Sequence, residues 1–475
     1  MTTFGIIFLP LCLYFWRSPA RLLELVMIGA VFSAAAVIVV GGYGVMPALV
    51  PAALFINIFV LKLCFGERYP AERLALSVMF PFIAIVVCAL ASSFIMPRLF
   101  EGDVMVWPQK SFIMARSPLA PNSGNYTQDM YLLANALLAV TAAPYLTREG
   151  FNLRRLLDAY FVASLLVVFI SLWQFAGNTL HIWYPTDFFL SNPGWAQLSE
   201  ESIGTLTRLN GPFSEPSALA AYLCGTVSAA GWMIFNGDRA RLPRLALICG
   251  LAILLLCTST TGYIALAIMI GLLLLHTFIA SSPATRRRVL TGAIIAGTIS
   301  FIVIATIPIL APSVANEAEM VVTGTLNKNQ TSSYNDRTTA DRDSLRAMAA
   351  SDFLGVGWGS TRSSSLLPGL CAAIGAWGLL GLLWFTASLY RHLAIAHRLA
   401  DASTRSVMRG CNAAILGTLI SAFISAPTIS SPDFYLLLAL LVATAARVRH
   451  EAQNAQKTSV ILPRSPFGMP TIAKG

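Results

Sequence analysis

Two stretches of the 475-residue chain carry side chains able to handle a phosphate and a hydroxyl. The first reads Arg208-Leu-Asn-Gly211-Pro-Phe213-Ser-Glu215-Pro216-Ser; the second reads Asn335-Asp336-Arg337-Thr-Thr-Ala-Asp341-Arg342-Asp343-Ser-Leu345-Arg346-Ala-Met348. A guanidinium stays charged at any relevant pH and presents a planar fork of donors. Arg208, Arg337, Arg342 and Arg346 are therefore candidates to hold a diphosphate or carboxylate in two-pronged fashion. Glu215, and after it Asp336 and Asp341, are candidates for a general base. Each has a plainer reading. Pro216 suits the first turn of a helix, where Glu215 or Ser214 would cap exposed amides. Asp341 and Asp343 would simply neutralise Arg342 and Arg346, which repel one another across one turn of a helix unless an anion lies between them. His181 stands beside Trp183 and Tyr184 and reads more readily as an interfacial packing residue than as a base. No grouping of His, Asp and Glu has metal-ligand spacing, so a metal-independent reaction without a cofactor is expected.

The elements that must position these residues are membrane spans. Apolar residues make up 56% of the chain and charged residues 11%. Runs such as 289–310 reach the roughly 20 residues needed to cross a bilayer core. Spans are expected at about 4–16, 22–40, 45–65, 76–96, 128–146, 156–177, 216–235, 244–258, 261–280, 289–311, 366–388, 406–427 and 432–446, giving an all-α polytopic protein of 12 to 13 transmembrane helices. The stretch 4–16 has no basic region before it and no small-residue cleavage site after it, so it is expected to be a short first span or half-inserted helix, not a signal peptide. All eight cysteines fall inside apolar runs, which makes a disulfide framework or thiolate metal site unexpected.

The net charge of +10 is sorted by loop. Arg17 and Arg21, Arg68 and Arg73, Arg148 with Arg154 and Arg155, Arg239 with Arg241 and Arg244, Arg286 to Arg288, and Arg391 with Arg398 and Arg405 occupy alternate loops, cytoplasmic by the positive-inside rule. The basic surplus is thus a topology signal and a contact for anionic lipid, not a nucleic-acid patch. The domain expected is a single transmembrane unit over 1–446, with extracytoplasmic loops 97–127, 178–215 and 312–365 and a disordered cytoplasmic tail over 447–475. Within 312–365 a short helix is expected to start with Thr338 or Thr339 as N-cap and to end near Ser351, before the Gly-rich turn Gly355-Val-Gly357-Trp-Gly359-Ser. Arg337 would then precede the helix, near free amides that favour an anion. Glu24, Lys62 and Asp158 lie near span ends, and neither a mid-membrane carboxylate nor an inverted repeat marks an ion-coupled transporter.

The order of four short motifs resembles the O-antigen polymerase (Wzy-type) and O-antigen ligase superfamily. They are Arg208, Gly211, Phe213 and Pro216 entering a span; Ser259-Thr-Thr-Gly262 between two spans; Arg337 at the family's distance before the turn at Gly355; and Gly375-Ala-Trp-Gly378-Leu-Leu-Gly381. The resemblance covers roughly residues 205–385. It implies a bacterial inner-membrane glycosyltransferase of the GT-C kind, working at the periplasmic face. The implied donor and acceptor are undecaprenyl-diphosphate-linked oligosaccharides, with a chain-length regulator and export proteins as further partners. The family's diphosphate-holding arginines would correspond to Arg208 and Arg337, with Arg342 as helper. Two departures bear on the branch. Arg362-Ser363-Ser364-Ser365 stands where ligases carry a His-Asn pair, and Thr260 or Thr261 stands where an Arg is often found. Both favour a polymerase of capsule, exopolysaccharide or O-antigen repeats over a ligase; a lipid-linked sugar flippase or transporter is the reading from another class.

Overall fold

The computed structural model describes residues 1–109, 115–194, 202–203, 206–280, 282–310, 319–320, 322–324, 327, 332–426 and 428–461. Inside a bilayer a backbone amide has no water to bond, so apolar runs fold as helices that satisfy their own hydrogen bonds. In chain order these are α1 (Thr3–Tyr14), α2 (Pro19–Ala30), α3 (Leu49–Cys64), α4 (Glu72–Leu99), α5 (Ser123–Tyr145), α6 (Leu153–Leu180), α7 (Thr186–Phe189), α8 (Pro216–Phe235), α9 (Arg241–Leu256), α10 (Thr260–Ala280), α11 (Pro283–Leu310), α12 (Ser332–Ala350), α13 (Leu366–Leu399), α14 (Ala402–Ser425) and α15 (Pro432–Ile461). Strands are confined, among the described residues, to three two-residue antiparallel pairs: β1 (Val39–Val40) with β2 (Tyr43–Gly44), β3 (Met105–Val106) with β4 (Ser117–Pro118), and β5 (Ser202–Ile203) with β6 (Leu206–Thr207). The protein is an all-α, multi-pass membrane protein. Six of its described helices, α4, α6, α8, α10, α13 and α14, are long and apolar enough to cross a membrane.

Several boundaries differ from the sequence pattern, each for a local reason. The span expected over 22–40 stops at Ala30, and 31–38 continues as buried non-helical chain into the β1–β2 hairpin. That hairpin turns through Gly41 and Gly42, and β-branched Val37 to Val40 favour extended backbone. Its polar groups find partners across the fold, since Ser191 Oγ accepts from the Ala36 amide and the Asn192 amide donates to the Ala34 carbonyl. At the other end α15 runs on to Ile461, so the disorder expected from residue 447 does not begin there. Its continuation is rich in Ala, Arg, Glu and Gln, all good helix formers, and Arg447 pairs with Glu451 one turn on at 2.9 Å. Residues 462–475 lie outside the described residues, as does most of 311–331 with the polar run after Asn327.

The centre of the bundle is the contact of α8 with α14. A Cβ on Gly417 would stand 2.6 Å from the Cys224 carbonyl oxygen, so the two backbones approach as small residues allow between helices in lipid. α9 flanks α8 on one side, α15 lies between α14 and α5, and α4 packs against α5 and α13. Because α14 has 24 residues it is about 36 Å long and joins the two faces of the molecule. Asp401 caps one end, accepting from the Ser403 and Thr404 amides at 2.9 and 3.3 Å, and Ser425 closes the other.

The Asp401 face is tied by a carboxylate from the α8–α9 turn. Asp238 accepts from Arg154 of α6 at 2.6 Å, from Ser406 of α14 at 2.7 Å and from the Ala240 amide at 2.9 Å. Burial alone pushes this carboxyl up, but the Arg154, Ala240 and Ser406 hydrogen bonds and the Arg154 charge outweigh it and hold Asp238 below the usual carboxylate range. A lowered folded value means the clamp is complete above the ordinary aspartate value, about pH 4, and is lost as pH falls through the lower folded value. Asp238→Asn should therefore lower the thermal midpoint of the detergent-purified protein at pH 7, with the gap to wild type closing as pH falls below about 4. A gap that stays constant down to acid pH would contradict the clamp.

Candidate functional site

At the Ser425 face a cavity of about 430 Å³ is lined by Trp107, Glu215, Asp336, Arg337, Thr339, Ala340, Arg362, Ser363, Ser364 and Ser425. Its wall joins all three of the loops expected outside the cytoplasm, 97–127, 178–215 and 312–365, to the end of α14. A second, more apolar cavity of about 220 Å³ opens between α2, α8, α14 and the start of α15, and it shares Glu215 and Ser425 with the first.

α12 carries the basic wall. It begins at Ser332, so neither Thr338 nor Thr339 is its N-cap and Arg337 lies inside the helix instead of before it. The Thr338 hydroxyl bonds backwards instead, Oγ1 donating to the Tyr334 carbonyl at 2.9 Å, as Ser344 Oγ does to that of Ala340 at 2.8 Å, a pattern that lets Ser and Thr sit inside a helix. Positions 336, 337 and 340 share the face turned to the cavity, and Arg337 Nη1 donates to Ser425 Oγ. Arg342 and Arg346 fall on other faces and do not line the cavity. Arg342 is exposed, and Arg346 pairs with Asp343 at 3.0 Å.

Asp343 fastens α12 to the 97–127 loop. Its side chain is only 5% exposed and accepts from Trp107 Nε1 at 3.1 Å and Arg346 at 3.0 Å, with Arg116 at 3.5 Å. Beneath it Val104, Val106, Leu119, Ala347 and Val356 form a small apolar core of their own. Asp341 fastens the other flank. One oxygen accepts from the Ser364 and Ser365 amides at 2.7 and 2.9 Å, and the other from Ser365 Oγ at 2.6 Å. It thus satisfies amides at the start of α13, where Ser365 makes no side-chain cap bond of its own. With its oxygens so engaged, Asp341 lies outside the cavity wall and positions the 362–365 segment.

That segment brings in Arg362, whose amide donates to the Trp107 carbonyl at 2.7 Å. The Gly-rich turn before it docks into a break in α13. Gly375 has φ +61°, which frees the Ala372 carbonyl for the Val356 amide at 2.7 Å, while the Ala376 amide bonds Phe353 at 2.8 Å. A Cβ on Gly355 would sit 2.7 Å from the Gly375 nitrogen, so the backbones meet directly.

Glu215 is the N-cap residue of α8 by backbone conformation, yet its side chain makes no cap bond. It accepts from Ser217 Oγ and faces both cavities. Arg208 stands apart from the cavity wall, within electrostatic reach of Cys257 and Tyr263 at the α9–α10 turn. The segment after it is pinned by Gln174 of α6, which accepts from the Asn210 and Gly211 amides at 3.1 and 2.8 Å. His181 closes α6 in left-handed conformation, exposed and off the cavity, beside Trp183 packed on Trp173 at 5.8 Å. Of the candidates, then, Glu215, Asp336 and Arg337 come together; Arg208, Asp341, Arg342 and Arg346 do not. Arg362 and Trp107 were not among the candidates. The signal for Arg362 is its place in the short polar segment that enters a span. Among carboxylates, Asp129 and Asp433 are buried at the loop-side ends of α5 and α15, bonded by the Ser93 and Ser431 hydroxyls.

Comparison of the chain with protein-family models and with curated proteins finds no match.

The positioning role of Asp341 separates two substitutions. Asp341→Asn keeps an acceptor oxygen for the Ser364 and Ser365 amides and should leave cellular activity within a few fold of wild type. Asp341→Ala should lose the cap, at a cost of about 1 kcal/mol in stability, and most activity with it. Complete inactivation by Asp341→Asn at normal protein level would return Asp341 to the role of base.

Proposed function

We propose that the protein is a membrane glycosyltransferase that polymerises oligosaccharide repeat units carried on undecaprenyl diphosphate, at the periplasmic face of a bacterial inner membrane. The observation that carries this reading is the junction of two unlike cavities at Glu215 and Ser425. One is the more polar and holds two guanidiniums, Arg337 and Arg362; the other is mainly apolar and lies among the helices. An amphiphile with an anionic head and a hydrocarbon tail fits that pair, whereas a free sugar or ion would have no use for the second cavity. The charged side chains of the first cavity all lie at one end of the bundle, which also favours a transferase over a transporter, for which charge would line a path through the bilayer.

In this reading Arg337 and Arg362 hold the diphosphate. The acceptor hydroxyl oxygen attacks the anomeric carbon, the bond from that carbon to the diphosphate oxygen breaks, and the lipid diphosphate leaves with both bonding electrons. Negative charge grows on the leaving group as the bond opens, so fixed cations stabilise the transition state more than the bound substrate. Glu215, with Asp336 as the alternative across the same cavity, takes the proton from the hydroxyl. The Ser217 hydroxyl bonded to one oxygen of Glu215 leaves the other for that proton.

Purified full-length variants at equal abundance, assayed with lipid-linked repeat units, test the assignment. Arg337→Ala and Arg362→Ala should each slow polymerisation by roughly a hundredfold or more, equivalent to about 2–4 kcal/mol. Arg337→Lys should stay clearly impaired because it loses the two-pronged geometry, and Glu215→Gln should be inactive. Near-native polymerisation by either alanine variant would overturn the clamp. Transfer of one glycan without chain growth would make the protein a ligase, and lipid translocation without bond formation would make it a transporter.

A further inference from the structure

The proposed reaction leaves one side chain of the polar cavity without a part. Among the described residues Trp107 is the only aromatic group on the wall, half-buried and set among Glu215, Asp336, Arg337 and Arg362. It is not core packing, because it belongs neither to the apolar core of the bundle nor to the small core beneath Asp343. It is nonetheless held firmly. Its amide donates to Thr361 Oγ1 at 3.3 Å, its carbonyl accepts from the Arg362 amide at 2.7 Å, and two residues on Gln109 Nε2 donates to the Thr361 carbonyl at 2.9 Å. The indole Nε1 donates to Asp343 Oδ2 at 3.1 Å, and that carboxylate is outside the cavity wall. Nε1 is the one polar atom of the side chain. With it committed to Asp343, what the ring offers the cavity is carbon, fixed in place before a ligand arrives.

A rigid apolar ring in a wall of charges and hydroxyls matches a ligand that is polar at its edge and apolar on its face. A pyranose is such a ligand: its hydroxyls project around the ring, and its C–H bonds make a face that an aromatic ring can cover. The position agrees. The two cavities meet at Glu215 and Ser425, and Trp107 lines the polar one alone. Along a glycosylated lipid diphosphate the order is hydrocarbon, diphosphate, sugar. With hydrocarbon in the second cavity and diphosphate at Arg337 and Arg362, the sugar comes next, on the side of the wall that Trp107 supplies. Resting on the proposed function, we infer that Trp107 stacks on the sugar bonded to the diphosphate and selects a pyranose with an unbroken C–H face. Thr339, Ser363 and Ser364 of the same wall are within the cavity to meet its hydroxyls.

Equilibrium binding to the full-length protein in detergent tests this without turnover. The probes are undecaprenyl diphosphate, bare and bearing a single glucose, galactose or N-acetylglucosamine. At least one sugar should tighten binding by about tenfold over the bare lipid, the size of effect a stacked ring supplies. Trp107→Leu should abolish that gain and leave the bare lipid bound within about twofold of wild type. Trp107→Phe keeps a ring but cannot bond Asp343, and should retain most of the gain. If Trp107→Leu does not fold, Trp107→Gln decides, since it can donate to Asp343 but has no ring and should lose the gain. No gain with any of the three sugars in the wild type, a gain untouched in the leucine or glutamine variant, or a phenylalanine variant as poor as leucine would overturn the stacking role; the last would leave Trp107 acting only through Asp343. Failure of the wild type to bind even bare undecaprenyl diphosphate is a different result, and would overturn the proposed function and this inference with it.

Discussion

The candidate site depends on two carboxylates placed two residues apart on one polar helix. Helix α12 is too hydrophilic to enter the bilayer and has no apolar face broad enough to dock by burial alone. Asp343, nearly sealed from solvent, takes the Trp107 indole and two arginines, and Asp341 takes the amides that open α13. A buried carboxylate is tolerated only when its oxygens are this fully bonded, and that requirement fixes the rotation of the helix. Once the rotation is fixed, Arg337 and Asp336 face the cavity and Arg342 and Arg346 turn away.

The remaining parts of the wall are held by backbone contact. The Gly355 turn enters the break at Gly375, and the Arg362 amide bonds the Trp107 carbonyl, so the third large loop and the first are joined here as well as through Asp343. Glu215 arrives on rigid structure as well, at the first turn of α8, with Gln174 holding the approach to it. Polar groups rigidly placed by helices before a ligand arrives are what electrostatic catalysis requires, since little reorganisation is left for the moment of reaction. Glu215, Asp336 and Arg337 belong to a helix or its cap, and Arg362, four residues before α13, is held through its amide by the Trp107 carbonyl.

Much of this was legible in the chain itself. Hydropathy located the helices, and α8 begins and ends where the apolar run and Pro216 place it, because burial in lipid leaves the backbone no alternative. Hydropathy misled where β-branched residues and two glycines divert an apolar run into a hairpin after Ala30, and where helix-forming residues extend α15 beyond residue 447. The site was half legible. Glu215, Asp336 and Arg337 could be chosen by residue type and position, but the helical phase that separates Arg337 from Arg342 depends on Asp341 and Asp343 finding partners far away in sequence. Arg362 was hidden for the same reason, since only the tertiary contact with Trp107 brings it opposite Arg337.

The central claim is that the two arginines and the paired cavities together recognise a lipid diphosphate. Equilibrium binding of undecaprenyl diphosphate and of undecaprenol to the full-length protein in detergent measures this without requiring turnover. The account predicts that the diphosphate binds at least roughly a hundredfold more tightly than the alcohol, and that Arg337→Gln/Arg362→Gln removes most of that preference while leaving binding of the alcohol unchanged. Equal affinity for the two lipids in the wild-type protein, or a preference untouched by the double substitution, would contradict it.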